Sequence, residues 1–471
     1  MKKSIFLKFF EKEIKSSQIR HICDNSKKIT PNSIFFARQG VNGHGNDFVD
    51  HKVANTARAI LSSKKQKVHA KNFYYIKNLE IKLLGFLYEY WNISINTKFF
   101  GITGTNGKTT TAFILYQLLK SQGKNVIYIG TIGAIINSRW HKTINTTPGL
   151  FDLFELLGKQ KNKEDLYVVL EVSSHALAQN RLGHLKFQES LITNITSDHK
   201  DFHKTQANYE LAKLKILSAT KNKVFFAGNS YKKLSTRIPI SKIKSIVTIN
   251  QATRASTKSS IRFSLQKSII LFKLGNQNHC IIKSPFNDKL NTLNFIAAAS
   301  LFSVITDASL NDIKISNIKL PKGRFELIPY KNKKTIIVDF AHDHHSIYKI
   351  LQATEQQYQH KIIVFGCGGN RDKTKRPKMM KAALKFADEI IFTSDNSRSE
   401  SFESISRDAL SGKSNSKVTL IEDRGEAIKH GIAKIQKNGA LYVLGRGHEE
   451  TLEIAGKVIR FNDSKFIKES I

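Results

Sequence analysis

The stretch Gly101 to Leu115, GITGTNGKTTTAFIL, constrains the fold most, because an apolar run, a glycine-rich turn and a helix-like segment follow without a break. Ahead of it, TKFFGIT reads as a short buried strand. Behind it, TTTAFILYQLLKSQG has apolar residues at helical spacing and stops at Gly123. A strand passing through glycines into a helix N-terminus gathers backbone N–H groups around one point, where phosphate binds. The spacing departs from G-x-x-x-x-G-K-[ST], since the position five residues before Gly107 is Ile102. The chemically necessary part remains. Gly101, Gly104 and Gly107, with Thr105 and Asn106 between the last two, give backbone freedom; Lys108 suits the β- and γ-phosphates; Thr109, followed by Thr110, suits Mg²⁺. The expectation is ATP, the alternative an ordinary glycine-containing strand-to-helix turn.

The same alternation recurs along the chain and divides it into three blocks. Residues 1–97 carry NSIFFARQGVNGHGNDFVDHKVANTARAIL, short strands and turns with an amphipathic helix, and then the helical KLLGFLYEYW. Residues 98–318 hold the phosphate loop, the buried strands DLYVVLEVSS and ESLITNIT, a β-rich stretch from about 222 to 283, and a helix after Asn291. Residues 319–471 alternate again: KTIIVDFA, HKIIVFGCGG, DEIIFTSDN, KVTLIED and GALYVLGRG each read as a strand followed by a helix-like segment. This is an α/β chain of three domains with parallel sheets, in which ligands sit at the carboxyl ends of strands.

Composition narrows the function. The chain has 471 residues and 40% apolar content, enough for several cores. Its three cysteines (Cys23, Cys280, Cys367) have neither disulfide nor metal spacing, which fits a reducing cytoplasm. MKKSIFLKFFEKEIK begins like a secretory leader but is cut by Lys8, Glu11, Lys12 and Glu13, and the longest apolar run, LNFIAAASLFSVI, is too short to span a bilayer. Neither secretion nor membrane insertion is expected. The net charge of +37 raises a nucleic-acid-binding P-loop protein as an alternative. The basic residues are nevertheless spread evenly without a basic tract, as lysine-favouring coding bias produces, and would still draw in polyanionic small substrates.

The strand ends carry the polar residues. LEVSSH ends in Glu171, Ser173 and His175, and TNITSDHKDFH supplies Asp198, His199, Asp201 and His203. They read as caps and turns, or as a second magnesium site led by Glu171 and His199.

GTNGKTT, NTTPG, EVSSHALAQNRL, NITSDHKDFHKTQANYELAKLKIL, NTLNFIAAA, GRFE, VDFAH, FGCGGNRDKTKRP and LGRGHEE resemble, in order and spacing, the motifs of the Mur ligases over nearly the whole chain. The shifted glycine is a trait of that family, whose loop is G-T-N-G-K-[ST]. NSKKITPNSIFFA is similar to the family's uridine-binding segment. The resemblance implies a small uridine-nucleotide domain, a central ATP-binding domain and a C-terminal Rossmann-like domain. It also implies an ATP-dependent amide ligase working through an acyl phosphate, with Lys108 and Mg²⁺ offsetting charge. The chain looks most like the branch acting on UDP-N-acetylmuramoyl-L-alanyl-D-glutamate (UDP-MurNAc-L-Ala-D-Glu); a folylpolyglutamate-type or other Mur ligase is the rival.

Carried over by position, the resemblance places Ser26 and His44 at the uracil nucleotide, and Asn145, Thr146, Thr147, Ser173, Gln179 and Arg181 at the muramoyl peptide. Lys213, otherwise a plain lysine on an amphipathic helix, matches the family's carboxylated lysine, an anion beside the magnesium that Thr109, Glu171 and His199 would also hold. Lys108, Lys213 and His199 form the catalytic set. Asn294, Arg324, Asp339 and His342 match nucleotide contacts, although DFAHDHHS stands where D-Y-A-H-T-P-D is usual, replacing the proline and second aspartate by His344 and His345. The histidines imply local remodelling rather than a metal site, since neighbouring side chains diverge. Asp395, Asn396, Ser397 and Arg398 form DNSR, where enzymes adding meso-diaminopimelate have D-N-P-R. With Arg371, Gly445 and Glu449 they would receive that amino acid, unless Arg398 is a solvated loop residue; L-lysine is the alternative substrate. A cytoplasmic monomer acting on small molecules, with no nucleic-acid partner, is expected.

Overall fold

A computed structural model describes residues 21–40, 43–65, 72–196, 198–251, 260–266, 269–274, 280–306, 308 and 315–471. The leader-like MKKSIFLKFFEKEIK lies outside them. The chain divides into two compact units: Met1–Gly104 with Leu115–Ile192 and Glu210–Thr248, and Thr105–Ile114 with Thr193–Tyr209 and Ile249–Ile471. Residues 1–97 thus fall in the first unit and 319–471 in the second, while 98–318 is shared.

In the first unit, four parallel strands, His21–Cys23, Ser33–Ala37, Ala59–Ser62 and Phe73–Tyr75, pair in chain order. The central sheet follows the order Val224–Ala227, Glu189–Ile192, Lys98–Thr103, Tyr167–Glu171, Val126–Gly130, Gly133–Ile136, Arg139–His141. Its first five strands are parallel, and the last two are added through antiparallel pairings. Tyr167–Glu171 is buried at every residue, as a parallel strand covered on both faces requires. The loop helix is Lys108–Ser121. It ends where the sequence indicates, with Gly123 at φ +71° and the Lys124 amide donating back to the Leu119 carbonyl.

The second unit contains an antiparallel meander of Ser260–Gln266, Ile269–Leu274 and Cys280–Lys283. Its larger sheet has the order Glu326–Tyr330, Lys334–Asp339, Ala440–Leu444, Lys361–Phe365, Glu389–Phe392, Val418–Leu420, parallel except for the first pair. Helices His344–Ala353, Arg376–Leu384, Phe402–Leu410 and Arg424–Lys434 follow strands Lys334–Asp339, Lys361–Phe365, Glu389–Phe392 and Val418–Leu420 as expected. After Ala440–Leu444 the expectation fails: a hairpin, Thr451–Ile454 with Lys457–Arg460, precedes the final helix Asp463–Ser470. Ala455 and Gly456, at φ +49° and +74°, make the two-residue turn, and Gly at its second position supplies the freedom that a two-residue hairpin needs.

The apolar run LNFIAAASLFSVI lies inside helix Lys289–Thr306, which is 18 residues long because Lys289, Leu290, Asn291 and Thr292 add a turn before Leu293 and Thr306 follows Ile305. By length and composition alone this helix could cross a membrane, and 56% of it is buried inside the protein.

Arg424 and Asp463, both 0% exposed, open the last two helices and pair through two 2.8 Å hydrogen bonds, Arg424 Nε to Asp463 Oδ1 and Nη2 to Oδ2. Breaking a buried pair leaves an uncompensated charge, so Asp463→Asn should destabilise the second unit by about 3–5 kcal/mol. Urea unfolding followed by circular dichroism measures this, and an unchanged midpoint would contradict it.

Candidate active site

In the second unit the phosphate loop is held by the segment after Glu189–Ile192. The Thr105 amide donates to the Asn194 carbonyl at 2.8 Å, the Asn106 amide to Asn194 Oδ1 at 3.0 Å, and Thr193 Oγ1 and Asn194 Nδ2 to the Asn106 carbonyl at 2.6 and 2.7 Å. Lys108 Nζ donates to the Thr105 carbonyl at 2.8 Å, and Thr109 and Thr110 are buried. Gly107 has φ +82°, and a Cβ there would stand 2.5 Å from Asn294 Oδ1. Asn106 Nδ2 and Asn294 Nδ2 are buried donors without a hydrogen-bond partner among the described residues, as expected of a loop built around an acceptor-rich ligand. Arg324 lies over the Phe340 ring at 4.3 Å and donates from Nη2 to Thr109 Oγ1 at 3.4 Å.

Gly101 is a correction. It lies inside strand Lys98–Thr103, where a Cβ would meet the Phe187 ring at 3.0 Å, so it serves sheet packing rather than the loop. Gly104, at φ +140°, and Gly107 provide the turn.

Asp198, in the same unit as the loop, accepts from Lys375 Nζ at 2.8 Å and from the His199 amide at 2.8 Å, with His199 Nε2 3.3 Å from Oδ2. Burial alone would push its carboxyl up, but His199, Lys375 and His342 outweigh it and hold Asp198 well below the usual carboxylate range. The side chain of Asp201 lies outside the described residues. Asp339 accepts from the Phe325 and Ala341 amides at 2.7 and 2.8 Å. The departure at DFAHDHHS leaves the helix start intact: Asp343 caps His344–Ala353 in a capping box with Ser346, and His344 occupies the first helical position, where proline is usual.

In the first unit, Glu171 ends its strand fully buried. Its carboxylate accepts from Tyr128 Oη, the Thr131 amide and Thr131 Oγ1. Thr147 Oγ1 donates to the Glu171 carbonyl at 2.8 Å and accepts from the Ser173 amide at 2.9 Å. Thr146 is 3.2 Å from Thr131 through their hydroxyls. Arg181 donates to Gln179 Oε1 at 2.6 Å and to the Thr147 carbonyl at 3.2 Å, and burial pulls its pKa down. Asn145 is exposed nearby in sequence. Lys213 is 1% exposed and donates to the Gly104 carbonyl at 2.7 Å, which removes the surface-lysine alternative. Ser26 starts a 3-10 turn. His44 is buried: its Nδ1 accepts from the Asn46 amide and its Nε2 meets Ser63 Oγ, so both ring nitrogens serve the fold of its own domain.

Thr109 and His199 belong to one unit and Glu171 and Lys213 to the other. Among the described residues no three His, Cys, Asp or Glu side chains cluster for a metal ion. The buried Thr109 hydroxyl is a hard oxygen donor of the kind that suits Mg²⁺ taking most of its ligands from phosphate and water.

The third strand-end group lies in the second unit. Asn396 Nδ2 donates to Glu449 Oε2 at 3.0 Å and its Oδ1 accepts from the Glu453 amide. Arg398 donates from Nη1 to the Gly369 carbonyl at 2.7 Å, with Nε 3.7 Å from Glu453. Gly445, at φ +112°, leaves room for Asp395, whose Oδ2 would be 2.5 Å from a Cβ there. Burial, then Asp395, raises the Glu449 carboxyl above its ordinary range. Arg371 stands exposed. Sequence reasoning missed Thr131, Tyr128, Asn194, Lys375 and Arg446. Asn194, Lys375 and Arg446 stood inside motifs already singled out, whereas nothing in the local sequence marked Tyr128 or Thr131.

A phosphate loop in the same unit as an α/β sheet whose strand ends carry paired arginines and carboxylates defines a nucleotide-dependent enzyme class. The model of the Mur ligase middle domain matches residues 102–302, and that of the Mur ligase, glutamate ligase domain matches 323–447. The UDP-N-acetylmuramoyl-L-alanyl-D-glutamate–2,6-diaminopimelate ligase of Buchnera aphidicola subsp. Schizaphis graminum is 32% identical over 466 residues, covering 94% of this chain and 93% of that protein. Its namesake in Fusobacterium nucleatum subsp. nucleatum is 34% identical over 462 residues, covering 95% and 93%. A solved structure of a ligase of the same name has a TM-score of 0.63 and 26% identity over 96% of this chain and 94% of that one. The chain belongs to the Mur ligase family.

Gly107→Ala should lower nucleoside-triphosphate affinity about tenfold or more, since left-handed strain of roughly 1–2 kcal/mol and the clash with Asn294 both act on the loop. Titration with a fluorescent ATP analogue reads this, and parent-like affinity would remove the loop from the binding site.

Proposed function

We propose that this chain is an ATP-dependent ligase that joins meso-2,6-diaminopimelate to UDP-MurNAc-L-Ala-D-Glu. The observation that carries the reading is the full-length likeness to ligases of that name, together with an Arg398 side chain fixed at the strand-end site. The D-glutamyl carboxylate attacks the γ-phosphorus of ATP and ADP leaves. The amine then attacks the acyl carbon, phosphate leaves and the amine gives up a proton. A carboxylate is a poor electrophile, and phosphorylation supplies its leaving group.

Gly104 to Thr110, Asn294, Arg324, Asp339 and His342 are assigned to ATP. Ser26, His44, Asn145, Thr146, Thr147, Ser173, Gln179 and Arg181 are assigned to the UDP-MurNAc dipeptide. Bound Mg²⁺ would neutralise charge between phosphates and carboxylate, with Thr109, Glu171, His199 and carboxylated Lys213 as its residues. Arg371, Asp395, Asn396, Ser397, Arg398, Gly445 and Glu449 are assigned to diaminopimelate. Arg398 would pair with its distal carboxylate, and Glu449 with its distal ammonium. The enzyme is read as a cytoplasmic monomer without membrane insertion or nucleic-acid partner, and its positive charge suits its polyanionic substrates.

Supplied with equal diaminopimelate and L-lysine, the parent should make predominantly the diaminopimelate product. A charged contact worth about 1.5–3 kcal/mol corresponds to about tenfold to more than a hundredfold selectivity. Arg398→Ala should lose most of it. Predominant lysine addition by the parent, read by product mass, would overturn the assignment.

Lys213 would act as a carbamate, formed when its neutral amine adds to CO₂ and releases a proton. Lys213→Ala should lose activity, which short-chain carboxylic acids partly restore by replacing the anion. Full turnover by this variant without additive would exclude the role.

A further inference from the structure

Two loops carry the arginines assigned above, 366–371 and 395–400; the Gly369 amide donates to the Asn396 carbonyl at 3.1 Å and Asn370 Nδ2 to Ser399 Oγ at 2.8 Å, and a buried ion pair braces both loops from behind. Arg376 is 1% exposed; it donates to Glu400 from Nη1 at 2.8 Å and from Nη2 at 2.6 Å, and from Nη2 to the Gly368 carbonyl at 3.2 Å. Glu400 Oε2 also accepts from the Asn370 amide at 3.0 Å, while the Glu400 amide donates to the Ser397 carbonyl at 3.0 Å. The Glu400 side chain thus joins the loops, while its backbone closes a turn within its own. Asn370, Asn396 and Arg398 have φ of +54°, +43° and +55°, conformations that persist only where the surroundings over-determine them. Arg398 Nη1 and Arg371 Cγ come within 3.3 and 3.6 Å of the position a Cβ would take on Gly368, so the two side chains converge on one place.

We propose that Arg376 and Glu400 are positioning residues that set the placement of Arg371 and Arg398, and through it the preference for an amino acid with a distal carboxylate. The pair touches no substrate in this reading. It acts by holding two strained loops in one register, so that both guanidinium groups meet the ligand without rearrangement. The inference rests on the diaminopimelate assignment. Asp408 supplies an internal control, because it accepts from the same Arg376 Nη1 at 2.7 Å from helix Phe402–Leu410, outside both loops.

The test compares parent, Glu400→Gln, Arg376→Lys and Asp408→Asn, each given diaminopimelate and L-lysine in competition, with KM measured for every substrate. Glu400→Gln should reduce the diaminopimelate-to-lysine product ratio about tenfold and raise KM for diaminopimelate, with KM for ATP and the UDP-MurNAc dipeptide unchanged. Arg376→Lys, which keeps the charge but not the two-point contact, should shift the ratio the same way and serves if Glu400→Gln does not fold. Asp408→Asn should keep the parent ratio. Parent ratios in both pair variants, or a rise in all three KM values together, would overturn the inference while leaving the substrate assignment standing. A parent that prefers lysine would overturn both.

Discussion

Parallel strands all end at one edge of their sheet, and that constraint organises the molecule. In the first unit Thr131 follows Val126–Gly130 and Glu171 ends Tyr167–Glu171. In the second unit Asp339, the 366–371 loop, DNSR and Gly445 to Glu449 stand at the ends of four more parallel strands. The strands themselves are apolar and buried, so polar chemistry can appear only where they stop.

Those ends need fixing, and buried guanidinium groups do much of it in the second unit. Arg376, Arg424 and Arg446 are among the largest fully buried side chains. Arg424 holds Asp463 and the Leu444 carbonyl, and Arg446 lies 3.3 Å from Glu449 and donates to the Thr451 carbonyl. Such pairs add little net stability over an apolar core, but removing one partner is severe, so each fixes a geometry more than it strengthens the fold. The hairpin after Ala440–Leu444 belongs to this framework, since Glu453 reaches both Asn396 and Arg398 through its backbone.

The loss of proline from DNSR illustrates the balance. A serine lifts the fixed φ, which would soften the loop. Here Ser397 is 3% exposed, and its neighbours are tied on both sides by Asn396, Glu400 and the Gly369 amide, which donates to the Asn396 carbonyl at 3.1 Å. Tertiary hydrogen bonds take over the task that ring closure performs elsewhere.

Much of this was legible in the chain. Apolar runs of four to six residues before glycine or Asp-Asn clusters located the strands, and helical spacing with Gly123 bounded the loop helix, because both signals are local. The hairpin at Thr451–Ile454 was missed, since its strands are short and partly exposed. Gly101 was read as part of the loop because a glycine beside Phe187 looks in sequence like a glycine in a turn. The burial of Lys213, the use of both His44 nitrogens within its own domain, and the joining of two loops by Glu400 were decided only by tertiary structure. Each depends on residues distant along the chain, and no local spacing encodes which of them will meet.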